Sequence, residues 1–548
     1  LYKRKCDLCG KEIISVFAPE RMFKVYCQPC WWSDRWDPLD YGREYNFSQP
    51  FFEQYARLFD TVPKVSAFND YMTLVNSPYV NMTSQSKNCY LTSHADHNED
   101  CSYASGLKFS KDCLDVTMVQ KSEFVYDSLN IVQGYRNFYC MDCENSNGIY
   151  FSKNLAGCHD CFGCVNLRNK SYYIFNQPRT KEQYARQLQN FNLGSYRSML
   201  PLREKTFALW KNFPNKYYHG FQNHNVSGDY VYHSKNTFSS YEMIETEDCK
   251  YCQFLSTKMS KDCYDYTEWG ENASLVYESL VSGIGINAVK FSSTVYNNSH
   301  DVEYSFYLSD CQYVFGCAGL RHNKYCILNK QYSEAEYKAL REQIIRHMNE
   351  MPYRDKKGRI YRYGEFLPAE LSPFAYNETA YEFFPLSRKE ALARGYSWRD
   401  REEHQYEITI KAENLPDNIK DVKDCILNEV IGCTHYRGPA SIVTCNEQCT
   451  TAFRIIPQEI EFYRKMNLPL PRLCPNCRHH QRIKQRNPLK LWRRKCQCGG
   501  GKSDGGVYQN QTIHFHGSNP CPNEFGTSYA PEKPEIVYCE RCYQGEVV

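Results

Sequence analysis

The sequence predicts a mainly β fold: two tandem β-solenoid modules with helical caps, flanked by zinc ribbons. One observation is a block repeat. Residues 89–170 divide into near-perfect blocks of twelve, among them CYLTSHADHNED, CSYASGLKFSKD and CLDVTMVQKSEF. Each block opens on apolar, aromatic or alternating residues and closes on Asp, Asn, Lys, Ser or Gly. Short β-prone runs between turn residues at a fixed period are the pattern of stacked coils. Twelve residues make a small coil or half of a roughly 24-residue one, and the unevenness of the blocks favours the longer coil. The other observation is that both ends of the chain carry paired cysteines at one spacing. Cys6-x-x-Cys9, Phe17-Ala18-Pro19-Glu20 and Val25-Tyr26-Cys27-x-x-Cys30 return as Cys521, Tyr529-Ala530-Pro531-Glu532 and Val537-Tyr538-Cys539-x-x-Cys542, at an offset of 512 residues. Two such knuckles bring four thiolates to the corners of a tetrahedron, as structural zinc requires.

The block pattern recurs downstream. Ser110-Lys111-Asp112-Cys113 returns as Ser260-Lys261-Asp262-Cys263, and Phe162-Gly163-Cys164 with Leu167-Arg168 returns as Phe315-Gly316-Cys317 with Leu320-Arg321. Blocks in the second copy stretch to 12–14 residues, which puts insertions at coil corners. Each copy ends on a capping-box signal, Thr180-x-x-Gln183 and Ser333-x-x-Glu336, so a helix closes each module and covers its open strand edge. Prolines then punctuate a tyrosine-rich connector. Two short helices fit there, one from Ser387 with Glu390 to Gly395, the other from Asp417 to about Ile431. The expected order begins with an N-terminal ribbon (1–45), a helical connector (46–85), the first module (86–178) and a helical cap and connector (179–224). It continues with the second module (225–332), a cap and Pro/Tyr-rich connector (333–440), a second ribbon with a basic helix (441–495) and a C-terminal ribbon (496–548).

At 548 residues the chain is too long for one core. No apolar run approaches the ~20 residues that cross a bilayer, and no charged-then-apolar leader opens the sequence. The 29 cysteines are an odd number rich in Cys-x-x-Cys pairs, which suits zinc and free thiols in a reducing cytoplasm better than a disulfide framework. Three structural zinc sites are expected. The first is Cys6, Cys9, Cys27 and Cys30. The second is Cys445 and Cys449 with Cys474 and Cys477. The third has Cys521, Cys539 and Cys542, but Ser518 stands where its fourth ligand belongs. Cys498 or Cys496 is the substitute, with Cys498 taken as the ligand and His516 as runner-up. Four protein ligands leave no open position, so these ions hold structure. The cysteines inside the repeats differ. Residues three apart on a strand point to opposite faces, and Val314 stands where Cys161 aligns, so these thiols are read as stacked core.

Charge is nearly balanced at +3, so attraction to nucleic acid needs a local patch. One exists. From Arg472 to Lys502 there are ten Lys or Arg residues and no acid. Arg472, Arg478, Arg482, Lys484, Arg486, Lys490, Arg493, Arg494 and Lys495 are read as a phosphate-tracking row, with Trp492 placed to stack on an unpaired base. The bland alternatives are a solvated basic helix or one docked on acidic protein surface. Arg478-His479-His480 beside a zinc knuckle raises a metal-dependent nuclease, with His514 and His516 as further ligands, but no downstream Asn or His on a helix completes it. No phosphate-binding loop, dinucleotide fingerprint or nucleophile elbow is present.

Residues 445–486, with Ala452-Phe453, Glu461-Phe462-Tyr463, Leu468-Pro469-Leu470-Pro471-Arg472 and Cys474-Pro475-x-Cys477-Arg478, resemble the small "probable zinc-ribbon" domain family. The terminal ribbons resemble another common ribbon that closes on Val-Tyr-Cys-x-x-Cys. Taken whole, the chain resembles the Cys- and Tyr-rich multi-zinc-ribbon proteins of candidate-phylum bacteria. That resemblance implies bound zinc and brings no activity or catalytic residue. The resulting expectation is a non-enzymatic binding or scaffold protein that contacts RNA or DNA through its basic region, or a protein partner on the solenoid face.

Overall fold

The computed structural model describes residues 1–400, 406–435 and 448–547. The architecture is mainly β, and one backbone rule organises it. From Met82 to Phe175 every third residue has a left-handed φ, whether Gly, as at 106, 148, 157 and 163, or not. Each such residue bends the chain, and four of them bring it back over itself after twelve. Strand Ser102–Lys108 therefore pairs in parallel with Leu114–Gln120, Ser102 opposite Leu114, and Leu114 in turn lies opposite Tyr126. The step is twelve residues, which corrects the expected 24-residue coil. L-residues in this conformation cost roughly 1–2 kcal/mol each. Asn, Asp and His, which tolerate it best, fill many of the positions, as at Asn88, His94, Asp100 and Asp112.

The residue after each bend points inward. From Thr83 to Cys164 every third residue is buried, and none is aromatic. Mostly Ser, Thr, Cys, Ala and Val, with Leu107, Ile131, Ile149 and Leu155 among them, fill this narrow interior in stacked columns. Cys89, Cys101 and Cys113 form one column with Val125 above them. Buried thiols donate to backbone carbonyls, as Cys113 Sγ does to Lys111 O at 3.2 Å. The serines do more. Ser152 Oγ donates to Tyr150 O at 2.8 Å and accepts from Cys164 N, twelve residues on, at 3.0 Å.

The first ladder has eleven strands, from Tyr79–Ser84 to Gln177–Pro178, the last pairing antiparallel with Ser171–Ile174. The second has fourteen, from Gly220–Phe221 to Lys330–Gln331. Its step is twelve at Val314↔Cys326, thirteen at Tyr264↔Tyr277 and fourteen at Lys250↔Tyr264. Thr180 and Ser333 both form full capping boxes, starting helices Lys181–Asn190 and Glu334–Glu350. Tyr184 and Tyr337 are buried on those helices. Ser387 caps Arg388–Ala393 as expected. The helix expected from Asp417 to Ile431 is instead two 3₁₀ turns, Ile419–Asp421 and Asp424–Asn428, followed by a short strand. Asp417 is drawn off to a neighbouring helix, accepting from Ser195 Oγ at 2.5 Å and Arg197 N at 2.9 Å.

Aromatic side chains excluded from the interior lie outside the ladders and are covered there. Helix Phe51–Thr61 packs on the second ladder, Phe51 against Tyr304 and Phe315 with centroids 5.4 and 5.2 Å apart. Helix Tyr196–Trp210 packs on the first, Trp210 Nε1 donating to Phe151 O at 3.2 Å.

The serine columns are testable. Ser152→Ala orphans the Cys164 N–H and is expected to cost about 1–3 kcal/mol. Ser152→Cys, which restores a group like its neighbours in the column, should cost less. Urea midpoints of the two variants check the order.

Candidate metal centres and the basic helix

Three four-cysteine groups assemble: Cys6, Cys9, Cys27 and Cys30; Cys433, Cys449, Cys474 and Cys477; and Cys496, Cys521, Cys539 and Cys542. In each group all ligand sulfurs lie within 4.8 Å of one another. Metal–sulfur bonds of about 2.3 Å in a tetrahedron imply an S···S edge near 3.8 Å. Cys9–Cys27 and Cys521–Cys539 stand at 3.8 Å, and Cys433–Cys477 at 3.9 Å. Thiolates this close repel one another, and a shared dication relieves that repulsion. The backbone N–H of Lys11 holds the Cys9 thiol down at about 7, while burial pushes Cys27 up to about 12.

One construction repeats in all three. The first cysteine follows a strand, and the third opens a helix: Gln28–Trp31, Pro475–Ile483 and Glu540–Val547. The third cysteine's N–H donates to the first cysteine's sulfur: Cys27 to Cys6 at 3.2 Å, Cys474 to Cys433 at 3.3 Å, Cys539 to Cys496 at 3.2 Å. This identifies Cys433 and Cys496 as the counterparts of Cys6. The first site is as expected. In the second, Cys449, Cys474 and Cys477 meet, and Cys433 supplies the fourth sulfur. Cys445, expected there, lies outside the described residues. In the third, Cys496 completes the four-sulfur group, and Cys498 sits instead beside Cys542 with His514 and His516.

The sequence held a signal for Cys496. Tyr2-Lys3-Arg4-Lys5-Cys6 matches Trp492-Arg493-Arg494-Lys495-Cys496. The paired strands share a register, Lys5 opposite Glu12 and Lys495 opposite Glu524. Arg4 donates to Ala18 O at 3.3 Å, and Arg494 donates to Ala530 O at 3.3 Å. What hid the match is an insertion, residues 497–520, between the two cysteines of the first knuckle.

That match also moves part of the expected nucleic-acid row into the ribbon itself. Trp492 is half-buried on strand Trp492–Lys495. Arg493 and Lys495 are exposed on that strand, both near Glu524, at 2.8 and 3.9 Å. Lys490 lies 5.1 Å from the Trp492 ring centroid.

The helix row is turned inward, a correction to its reading as a phosphate track. Arg478 pairs with Asp115 at 2.7 Å and Glu459 at 3.2 Å, and Arg482 with Asp115 at 3.2 Å and Asp127 at 3.4 Å. Four residues of helix rise about 6 Å, close to the roughly 4.8 Å between strands, so arginines one turn apart meet carboxylates on successive rungs. Arg486 continues the row onto the second ladder, 3.0 Å from Glu242. Burial pushes the Glu242 carboxyl up to about 7 against the pull of Arg486, and raises Asp115 against its two arginines. Arg472 is buried as well. It donates to Pro416 O at 2.8 Å and lies over the Tyr196 ring. Lys484 is exposed. His479 faces Glu382 at 3.2 Å and His480 packs on Tyr381. Among the described residues neither histidine joins a metal-ligand group.

A scan against models of protein families finds no match, and no curated protein matches. Among solved structures the chain is similar to one described as a "putative acetyltransferase" from Desulfovibrio desulfuricans G20. The identity is 8%, over 52% of this chain and 84% of that one, with a TM-score of 0.10. At that score the likeness carries no argument.

Two outcomes test the site. Cys433→Ala is expected to lower bound metal by one equivalent per chain, read by elemental analysis, and undiminished metal would assign the fourth ligand elsewhere. Arg482→Ala leaves Asp115 and Asp127 underpaired and is expected to cost about 3–5 kcal/mol. Lys490→Ala should change stability by less than about 0.5 kcal/mol in the same unfolding assay.

Proposed function

We propose that the chain is a zinc-stapled, non-enzymatic scaffold. Its body is two β-solenoid modules of twelve-residue coils, and its partner is a protein bound along the solenoid face in a reducing cytoplasm. The observation that carries this reading is the inward-turned arginine row. Arg478, Arg482 and Arg486 couple a metal ribbon to Asp115 and Asp127 on one ladder and to Glu242 on the other. Cations spent this way build a rigid body and are withdrawn from any phosphate. All-sulfur tetrahedral donor sets favour zinc among common divalent ions. No described helix is long and apolar enough to cross a membrane. Kinship with the Cys- and Tyr-rich multi-ribbon proteins belongs to the same proposal.

A second reading keeps nucleic acid, on a smaller footprint. Lys490, Arg493 and Lys495 remain exposed beside half-buried Trp492, and an aromatic flanked by cations suits a single strand.

One experiment separates the two. Purified protein is passed over immobilised RNA and single-stranded DNA at several salt concentrations, and native pull-downs are assayed for protein and polynucleotide. The scaffold reading expects co-purifying protein and no retention at physiological salt. Three phosphate contacts would give a log–log salt slope of about −2 to −3. Retention with that slope, abolished by Lys490→Glu, Arg493→Glu and Lys495→Glu at unchanged metal content, would replace the scaffold with the second reading.

A further inference from the structure

The insertion between Cys496 and Cys521 brings a second donor set against the C-terminal metal group. Cys498, His514, His516 and Cys542 place one ligand atom each within 4.8 Å of the others. Cys542 belongs to both sets. We infer that this ribbon holds two metal ions bridged by the Cys542 thiolate, the second a zinc-class dication closed by Cys498, His514 and His516. The inference rests on the zinc reading above.

The hydrogen bonds around the set point the same way. His516 Nδ1 lies 2.6 Å from Asn519 O, and a carbonyl can only accept, so that nitrogen carries the proton. In the neutral imidazole its Nε2 is then bare, and it lies 3.3 Å from Cys542 Sγ. Facing a Cys542 thiolate, this nitrogen calls for a positive charge between the two atoms, which a metal ion supplies. A cation between them resolves that contact. With metal–nitrogen and metal–sulfur bonds of about 2.0 and 2.3 Å, a tetrahedral N···S edge is about 3.5 Å, close to what is seen.

His514 is oriented by the same logic. Its Nε2 lies 3.1 Å from Glu546 Oε1, and both side chains are buried, at 2% and 0% exposure. Glu546 is held as an acceptor by Tyr508 Oη at 3.0 Å and Gln511 N at 2.9 Å. That leaves His514 Nδ1 for a metal, in the carboxylate–histidine–metal arrangement that fixes a ligand's tautomer. Cys498 has its own support, since Asn510 Nδ2 donates to its sulfur at 3.2 Å while Asn510 Oδ1 accepts from Tyr538 Oη at 2.7 Å. Charge favours sharing too. One dication among four thiolates leaves −2, whereas two dications among the five thiolates of the combined set leave −1.

The test uses the full chain, loaded with zinc for elemental analysis and with ¹¹³Cd for NMR. Four zinc ions per chain are expected. Cys498→Ser and the double variant His514→Gln/His516→Gln are each expected to lose one ion and keep the wild-type circular dichroism. In the ¹¹³Cd spectrum two ribbon resonances should split each other through the shared sulfur, and both variants should abolish the splitting. Three ions in wild type, unchanged in Cys498→Ser, would overturn the second site. Four ions with no mutual splitting would overturn the bridge. Fewer than three ions would instead sink the zinc-stapled scaffold reading itself.

Discussion

A chain that must turn at every third residue has almost no interior, and most of this molecule follows from that. With four bends in each twelve-residue step, one inward side chain falls between bends, and in the first ladder none of these is aromatic. The columns are accordingly Ser, Cys, Ala, Thr and Val with a few Leu, Ile and Asn, and hydroxyls and thiols satisfy the backbone between the aliphatic residues. Tyr266 is a buried exception inside the second ladder, and most of the 46 tyrosines and 30 phenylalanines lie elsewhere. They line the outside of the ladders in rows such as Tyr79–Tyr90–Tyr103 and Phe138–Tyr150–Phe162. A body with an aromatic exterior needs covering, and the helices and ribbons supply it.

The ribbons, each gathered around four cysteines, therefore act as lids. Phe462 and Tyr463 of the second ribbon lie on Tyr126 of the first ladder. Trp31 of the N-terminal ribbon meets Tyr307 of the second, and Arg321 donates to Trp31 O. The arginine row adds directionality that apolar contact lacks. A desolvated guanidinium tolerates only a position opposite its carboxylates, so Asp115, Asp127 and Glu242 set the register of the lid on the body.

Much of this architecture is readable from the residues alone. The block period, both capping boxes, the 12–14-residue stretch of the second copy and the N-terminal ribbon are each spelled by local chemistry. The coil length is not legible in the sequence because a left-handed bend at Phe109, Met118 or Phe124 has no local signature; the pairing on either side holds those residues there. A count at period three, looking for small residues after each bend, would have found the coil. Cys433 and Cys496 were hidden by insertions that break the two-residue spacing. The destination of the basic row was hidden because Asp115 and Asp127 lie more than 350 residues from Arg482, and charge alone does not say whether a partner is intramolecular.

The two halves of the chain exchange their covers. Helix Phe51–Thr61, which leads into the first ladder, lies on the second; helix Tyr196–Trp210, which leads into the second, lies on the first. The lead-in strands take one ribbon each, Lys64–Val65 beside Val25–Tyr26 and Asn215–Lys216 beside Val537–Tyr538. This is the reciprocal embrace of a twofold dimer written into a single polypeptide. It sets a hazard during synthesis. Phe51, Phe52 and Leu58 leave the ribosome about 250 residues before Phe315 arrives to cover them, on the order of 10–50 s at ordinary elongation rates. For that interval the apolar face of this helix lacks the surface that covers it in the finished molecule.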